Sequence, residues 1–175
     1  MSALTVKPLS FLRLTYDSES DYAQLYFGCD ITPDTVALLD DDRWPVLARD
    51  LVLEINKDGH LWGMEIAGVS DIFAAELVAS WRSRDQVPYE AGLDWVRTTG
   101  PALREVRLRV TYDPSDDNAR VFFSEVSPED VAEKASLDFI GDDGSRRVPL
   151  RVDLDRNQRF LAMAVSGATR LFCPE

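Results

Sequence analysis

Glu65 stands in the run Gly63-Met64-Glu65-Ile66, on the strand face it shares with Leu61 and Gly63 and opposite Trp62, Met64 and Ile66. A carboxylate buried in such a run can have its pKa raised and act as a general acid or base, with Tyr16 and Tyr26 as phenolic partners. The plainer role for Glu65 is a half-exposed carboxylate paired with an arginine or a tryptophan N–H. Trp62, Met64 and Trp81 are candidates to line an apolar pocket, against the commoner use of such side chains in a core. Asp30, Asp34, Asp40, Asp41 and Asp42 crowd one stretch and suit a basic partner. They lack the interleaved spacing and glycine of a calcium loop, so a solvated acidic loop is the default and no metal is expected. His60 is the single histidine, which excludes multi-histidine metal sites. Gly-rich phosphate loops, nucleophile elbows and strongly spaced carboxylate pairs are missing from the sequence, and no cofactor is expected.

The net charge is −12, and it is unevenly spread. Residues 1–100 hold eight Lys/Arg against seventeen Asp/Glu, and residues 101–175 hold eleven against fourteen. Duplex affinity comes largely from Lys and Arg releasing counterions from phosphates, so nucleic acid is a poor partner for this chain. A basic protein partner, steered by the acidic first half, fits better. Met1 to Lys7 lacks a basic segment followed by an apolar run, and no stretch approaches the roughly 18 apolar residues that span a bilayer. Cys29 and Cys173 read as two reduced thiols. The expectation is a cytoplasmic protein with no membrane contact.

The elements that must position these side chains come twice. Leu12-Arg13-Leu14-Thr15-Tyr16-Asp17, four turn residues and Tyr22 to Phe27 match Leu108-Arg109-Val110-Thr111-Tyr112-Asp113, four turn residues and Asn118 to Phe123. Eight of those sixteen positions are identical. Leu51 to Asn56 likewise answers to Leu150 to Asp155. Such a repeat predicts one supersecondary unit used twice. Alternation of period two marks each run as a half-buried strand, and Lys57-Asp58-Gly59 and Arg156-Asn157-Gln158 mark hairpin turns. Asp142-Asp143-Gly144 predicts a further turn that pairs Ala135 to Ile140 with Arg147 to Asp155, and Thr35 to Leu39 reads as a short strand. Ser127-Pro128-Glu129-Asp130 has the cap and early proline of a short helix. Asp17 and Asp113, at matching strand ends, read as residues that bind turn amides, against an acid–base pair facing each other across a pseudo-axis.

Between the copies, Ile72, Phe73, Leu77, Val78 and Trp81 predict one amphipathic helix over Asp71 to Arg82. The predicted organisation is a single compact unit over 1–175, with repeat one at 10–70, a helical connector at 71–104 and repeat two at 105–170. One copy alone would leave an apolar face and bare edges. The fold expected is α+β and mostly antiparallel β, two hairpin repeats fused into a pseudo-two-fold sandwich or flattened barrel. Such a fused pseudo-dimer should be a monomer in solution.

Tyr16-Asp17, the acidic turn, the aromatic hairpin strand, Asn56-Lys57-Asp58-Gly59 and Gly63-Met64-Glu65-Ile66 together resemble a small bacterial family of unknown function, the one numbered 2283. The resemblance covers Leu12–Ser70 well and Leu108–Thr169 more loosely, where Asp58-Gly59 becomes Asn157-Gln158 and Gly63-Met64-Glu65 becomes Ala162-Met163-Ala164. It implies the fold and, through relatives that accompany toxin-type genes, an antitoxin- or immunity-like role. The function expected is therefore a non-catalytic binding or regulatory protein acting through an acidic surface. The alternative is a small-molecule binder or cyclase-type enzyme with a Trp-lined pocket between the repeats, served by Glu65, Tyr16 or Tyr26.

Overall fold

The computed structural model describes residues 12–27, 33–83, 103–106, 108–144 and 146–172. Period-two alternation does build the strands. β1 (Arg13–Asp17) and β2 (Tyr22–Tyr26) form the first hairpin, followed by β3 (Pro33–Leu39), β4 (Leu51–Asn56) and β5 (Leu61–Ala67). After the helical segment come β6 (Leu103–Val106), β7 (Arg109–Asp113), β8 (Asn118–Phe122), β9 (Glu133–Gly141), β10 (Arg147–Leu154) and β11 (Phe160–Ser166). All eleven join one antiparallel sheet in the order β6-β1-β2-β5-β4-β3-β9-β10-β11-β8-β7. Of the sandwich and the flattened barrel expected, the sandwich of two sheets is not formed: the strands make one curled half-barrel.

Three chain features account for the curl. Within β1–β5 the spatial order is 1-2-5-4-3, and within β7–β11 it is 7-8-11-10-9. The two groups meet where β3 pairs β9, Leu38 opposite Ile140 and Leu39 opposite Phe139. At the far ends, β6 pairs β1 while β7 pairs β8, and Val106 and Arg109 lie only three residues apart. An extended chain covers about 3.3–3.6 Å per residue, so the two ends of the sheet approach within about 11 Å. A flat sheet of eleven strands could not satisfy both pairings.

Rolling the sheet encloses one continuous apolar core. Leu14, Tyr16, Leu25, Leu53, Met64 and Ile66 face it from one half, and Val121, Phe139, Leu150, Val152, Met163 and Val165 from the other. Phe73 joins them, its ring centroid 4.9 Å from that of Trp81, 5.1 Å from Phe123 and 5.9 Å from Phe160. Two arginines stitch the halves at their rims. Arg146 donates to the carbonyls of Asn56 and Lys57, and Arg159 to those of Ser70 and Asp71.

The connecting helix departs from expectation. It is two pieces, α2 (Val69–Ile72) and α3 (Ala75–Arg82), broken where Phe73 turns extended to bury its whole ring. Core burial of an aromatic outweighs the few intrahelical bonds lost there. Residues 84–102 of the predicted connector lie outside the described residues, and its last two, Leu103 and Arg104, are not helical but open β6, where pairing with β1 holds them extended. Two short helices carry no advance sign in the periodicity: α1 (Pro45–Asp50), which opens on a proline, and α4 (Ala168–Leu171). Pro128–Asp130 forms a single 3-10 turn, capped reciprocally by Ser127 and Asp130 as its residues predict.

α2 and α4 start alike. Asp21 and Asp117 both hold left-handed backbones, φ 53° and 51°. The Asp21 carbonyl accepts the Val69 N–H and its carboxylate takes the Ser70 N–H and hydroxyl. Asp117 does the same for Ala168 and Thr169. Gly68, before α2, has φ 68°, and a Cβ there would lie 2.9 Å from an Asp50 carboxylate oxygen, so the position needs glycine twice over.

Candidate functional site

Strand register sets which side chains share the outer face of the sheet. Two rows run across the first half. Arg13, Tyr26, Gly63, Glu54 and Val36 make one, and Thr15, Gln24, Glu65, Val52 and Leu38 make the other. The second row continues across the β3–β9 junction to Ile140 and Arg147. A one-residue slip of any strand would exchange these polar groups for core residues, so the buried face fixes the register of the outer one.

At the centre of these rows is a chain of hydrogen bonds. Tyr22 Oη donates to Gln24 Oε1 at 2.8 Å, and Gln24 Nε2 donates to Glu54 Oε2 at 2.6 Å. The second bond passes directly over Gly63. A Cβ on Gly63 would stand 2.7 Å from both Gln24 Nε2 and Glu54 Oε2, and 3.1 Å from the Leu25 carbonyl. Trp62, beside Gly63, packs edge-on against Tyr26 with centroids 5.6 Å apart. Burial, then the Glu65 and Glu54 carboxylates, push the Tyr22 phenol well above its ordinary range. Burial and Glu54 do the same to Tyr26. Both phenols stay protonated, which suits hydrogen-bond donation and aromatic contact and not nucleophilic attack.

The matching rows of the second half carry different chemistry. Arg109, Phe122, Ala162, Asp153 and Lys134 form one, and Thr111, Arg120, Ala164, Arg151 and Ser136 the other. Arg120 pairs with Asp153, and the Arg109 guanidinium lies 3.7 Å over the Phe122 ring. Where the first half presents Tyr26, Gln24, Glu65 and Val52, the second presents Phe122, Arg120, Ala164 and Arg151. Carboxylates and phenols dominate one half of the outer face, arginines the other.

The residues singled out from sequence fall in three places. Glu65 and Tyr26 share the outer face; Tyr16 lies on the core side, wholly buried, its ring against Trp81 and its hydroxyl accepting from Arg82 Nε at 3.2 Å. Met64 and Trp81 are core residues, and Trp62 is the one of the three beside the outer-face cluster. Asp34, Asp40 and Asp42 are exposed, Asp41 is tied to Arg43 at 2.6 Å, and Asp30 lies outside the described residues. Asp17 and Asp113 each accept turn amides, at 2.9 Å from Glu19 and Ser115 respectively. The sequence reading passed over Gln24, Glu54 and Tyr22. Their signal was the alternation itself: each occupies the outward phase of its strand.

Three exposed large apolar side chains stand among the described residues: Val36 at 40%, Leu38 at 49% and Val46 at 40%. The first two end the outer-face rows that hold Glu54 and Glu65. No described helix is long and apolar enough to cross a membrane.

Residues 13–70 match a protein family described only as being of unknown function, DUF2283. That segment contains every member of the first-half outer-face cluster. No curated protein and no solved structure matches the chain.

Proposed function

We propose that the protein is a non-catalytic binding protein that takes a basic protein partner on the outer face of its first half, in the manner of an antitoxin or immunity protein. The observation that carries this is the exposure of Val36 and Leu38 at the ends of the rows that hold Glu54 and Glu65. Apolar side chains left in water beside carboxylates are the makings of a small contact with a polar rim. Asp34, Asp40 and Asp42 extend the negative field around it. Tyr22, half-buried and neutral, adds an aromatic ring that favours a lysine or arginine side chain, while Tyr26 and Trp62, 8% and 5% exposed, are packed too deeply to join it. Charge of this sign speeds encounter with a basic surface more than it tightens the final complex.

The shared strand orders and the paired Asp21 and Asp117 caps support the further reading that the halves descend from one duplicated unit. On that reading they are fused about a pseudo-two-fold axis near the β3–β9 junction, and one chain does the work of a dimer. The chain then acts as a monomer in the cytoplasm, with its second half a scaffold whose outer face has turned basic.

The test is a tagged pull-down from the native cell, run with wild type, Leu38→Asp and the double variant Glu54→Gln/Glu65→Gln. A stoichiometric basic protein held by wild type at low salt, released at high salt and lost from both variants supports the reading. Retention of the same protein by both variants overturns it, as does a protein that elutes alone at low salt.

A further inference from the structure

A cleft of about 400 Å³ opens between the turn that precedes α1 and the β10–β11 turn, away from the outer-face rows. Its walls include Arg43, Trp44, Val46, Arg49, Asp71 and Arg159. In a chain of net charge −12, three guanidinium groups around one cleft are out of character. We infer that this cleft binds a small organic oxyanion with a flat apolar body.

The guanidinium groups are held by their edges, with donors to spare. Arg43 gives Nε and Nη2 to Asp41, and Arg49 gives Nε and Nη2 to Asp50 and Nη2 to Asp71. Nη1 of each meets no acceptor among the described residues. Arg159 spends Nη1 on the carbonyls of Ser70 and Asp71, which leaves Nε and Nη2 without an acceptor among the same residues. Bonds of this kind orient an arginine without exhausting it, since its five N–H groups lie in a fixed fork suited to carboxylate and phosphate oxygens. The aspartates fix the forks in advance, and an entering oxyanion need not order them.

Trp44 supplies the second, independent observation. The side chain is 9% exposed, and its indole N–H is buried with no acceptor among the described residues. Buried donors are nearly always bonded, and this one is left unpaired among those residues, in a ring that lines the cleft. The same ring, with Pro45, Val46 and Leu47, makes the apolar part of the wall, where a flat body would lie. Val46, at 40% exposure, would lose water on binding.

The test follows the indole ¹H–¹⁵N resonances of the full chain, which contains four tryptophans. Trp44→Phe identifies the Trp44 signal by its loss, and the three remaining signals report that the variant is folded. Phenyl phosphate, benzoate and inorganic phosphate are titrated separately. A saturable shift of the Trp44 signal with phenyl phosphate or benzoate, weakened about tenfold by Arg49→Gln and by Arg43→Gln, supports the site. The tighter of the two then says whether the oxyanion is a phosphate or a carboxylate. No saturable shift with either, or one unchanged in Arg49→Gln, overturns it. Inorganic phosphate binding as tightly as phenyl phosphate overturns the flat apolar body. Leu38→Asp should leave the titration unaltered, which separates this site from the outer-face reading.

Discussion

Replacing Phe73 by alanine should unfasten both halves of the molecule at once. The ring is fully buried and touches Trp81, Phe123 and Phe160, so it links the helical segment to the second half of the sheet. Burying a phenylalanine removes about 200 Å² from water, which at about 25 cal/mol per Å² is about 5 kcal/mol as an upper figure. Core Phe→Ala substitutions cost about 3–5 kcal/mol, which agrees. Against a total stability of about 5–15 kcal/mol, that is a large fraction. For a chain of this size it corresponds to a fall in Tm of about 10 °C. Urea unfolding, followed by tryptophan fluorescence and by far-UV circular dichroism, measures it. The enclosed core predicts one transition by both probes, displaced to lower urea with little change in slope. A loss below about 1 kcal/mol, the scale of an ordinary peripheral substitution, would refute a keystone role for Phe73. Two separated transitions in wild type would refute the shared core.

Gly63→Ala should force apart Gln24 and Glu54, whose 2.6 Å bond passes over the glycine, at a cost of about 1–3 kcal/mol in a urea titration. An unchanged midpoint would show that the two side chains move aside freely. Hydrogen bonds from Ser115 hold the Asp113 carboxyl below the ordinary range. At Asp117 burial pushes upward, but the bonds from Thr169 and Tyr112 prevail and the carboxyl is again held low. A lowered folded pKa contributes stability above the unfolded value near 4, and that stability fades as pH falls through the folded one. Asp117→Ala should accordingly flatten the acid limb of Tm against pH, and a limb of unaltered slope would contradict the cap. The raised Tyr22 and Tyr26 values act in the opposite direction. The unfolded phenols ionise above about pH 10 while the folded ones remain neutral, so stability present below that pH is lost as pH rises. Tyr26→Phe should lessen the alkaline loss of Tm, and an identical alkaline limb in the variant would argue that the phenol already ionises in the fold.

Apart from β6, which begins in the stretch read as a helical connector, the amino-acid sequence by itself determined the strands that follow period-two alternation, the turns between them and their recurrence along the chain. Those are local properties: alternation at Leu51, Leu53 and Ile55 needs only a sheet with one dry face, and Asp58-Gly59 needs only a tight turn. It also determined the capped turn at Ser127–Asp130, because a cap is a contact between neighbours in the chain. Tertiary structure alone decided that the strands share one curled sheet, since which edge meets which depends on pairings such as Leu38 with Ile140, a hundred residues apart. It alone broke the Asp71–Arg82 helix, because the gain at Phe73 comes from Phe123 and Phe160, which no local pattern can weigh. The candidate sites divide in the same way. Glu65 was visible as a charge in an apolar strand, but its neighbours Gln24, Glu54 and Tyr22 became a cluster only when three strands came into register. The cleft of Arg43, Arg49 and Arg159 was invisible until a turn of the second half closed against the first, for its charge is local where the chain's net charge is global.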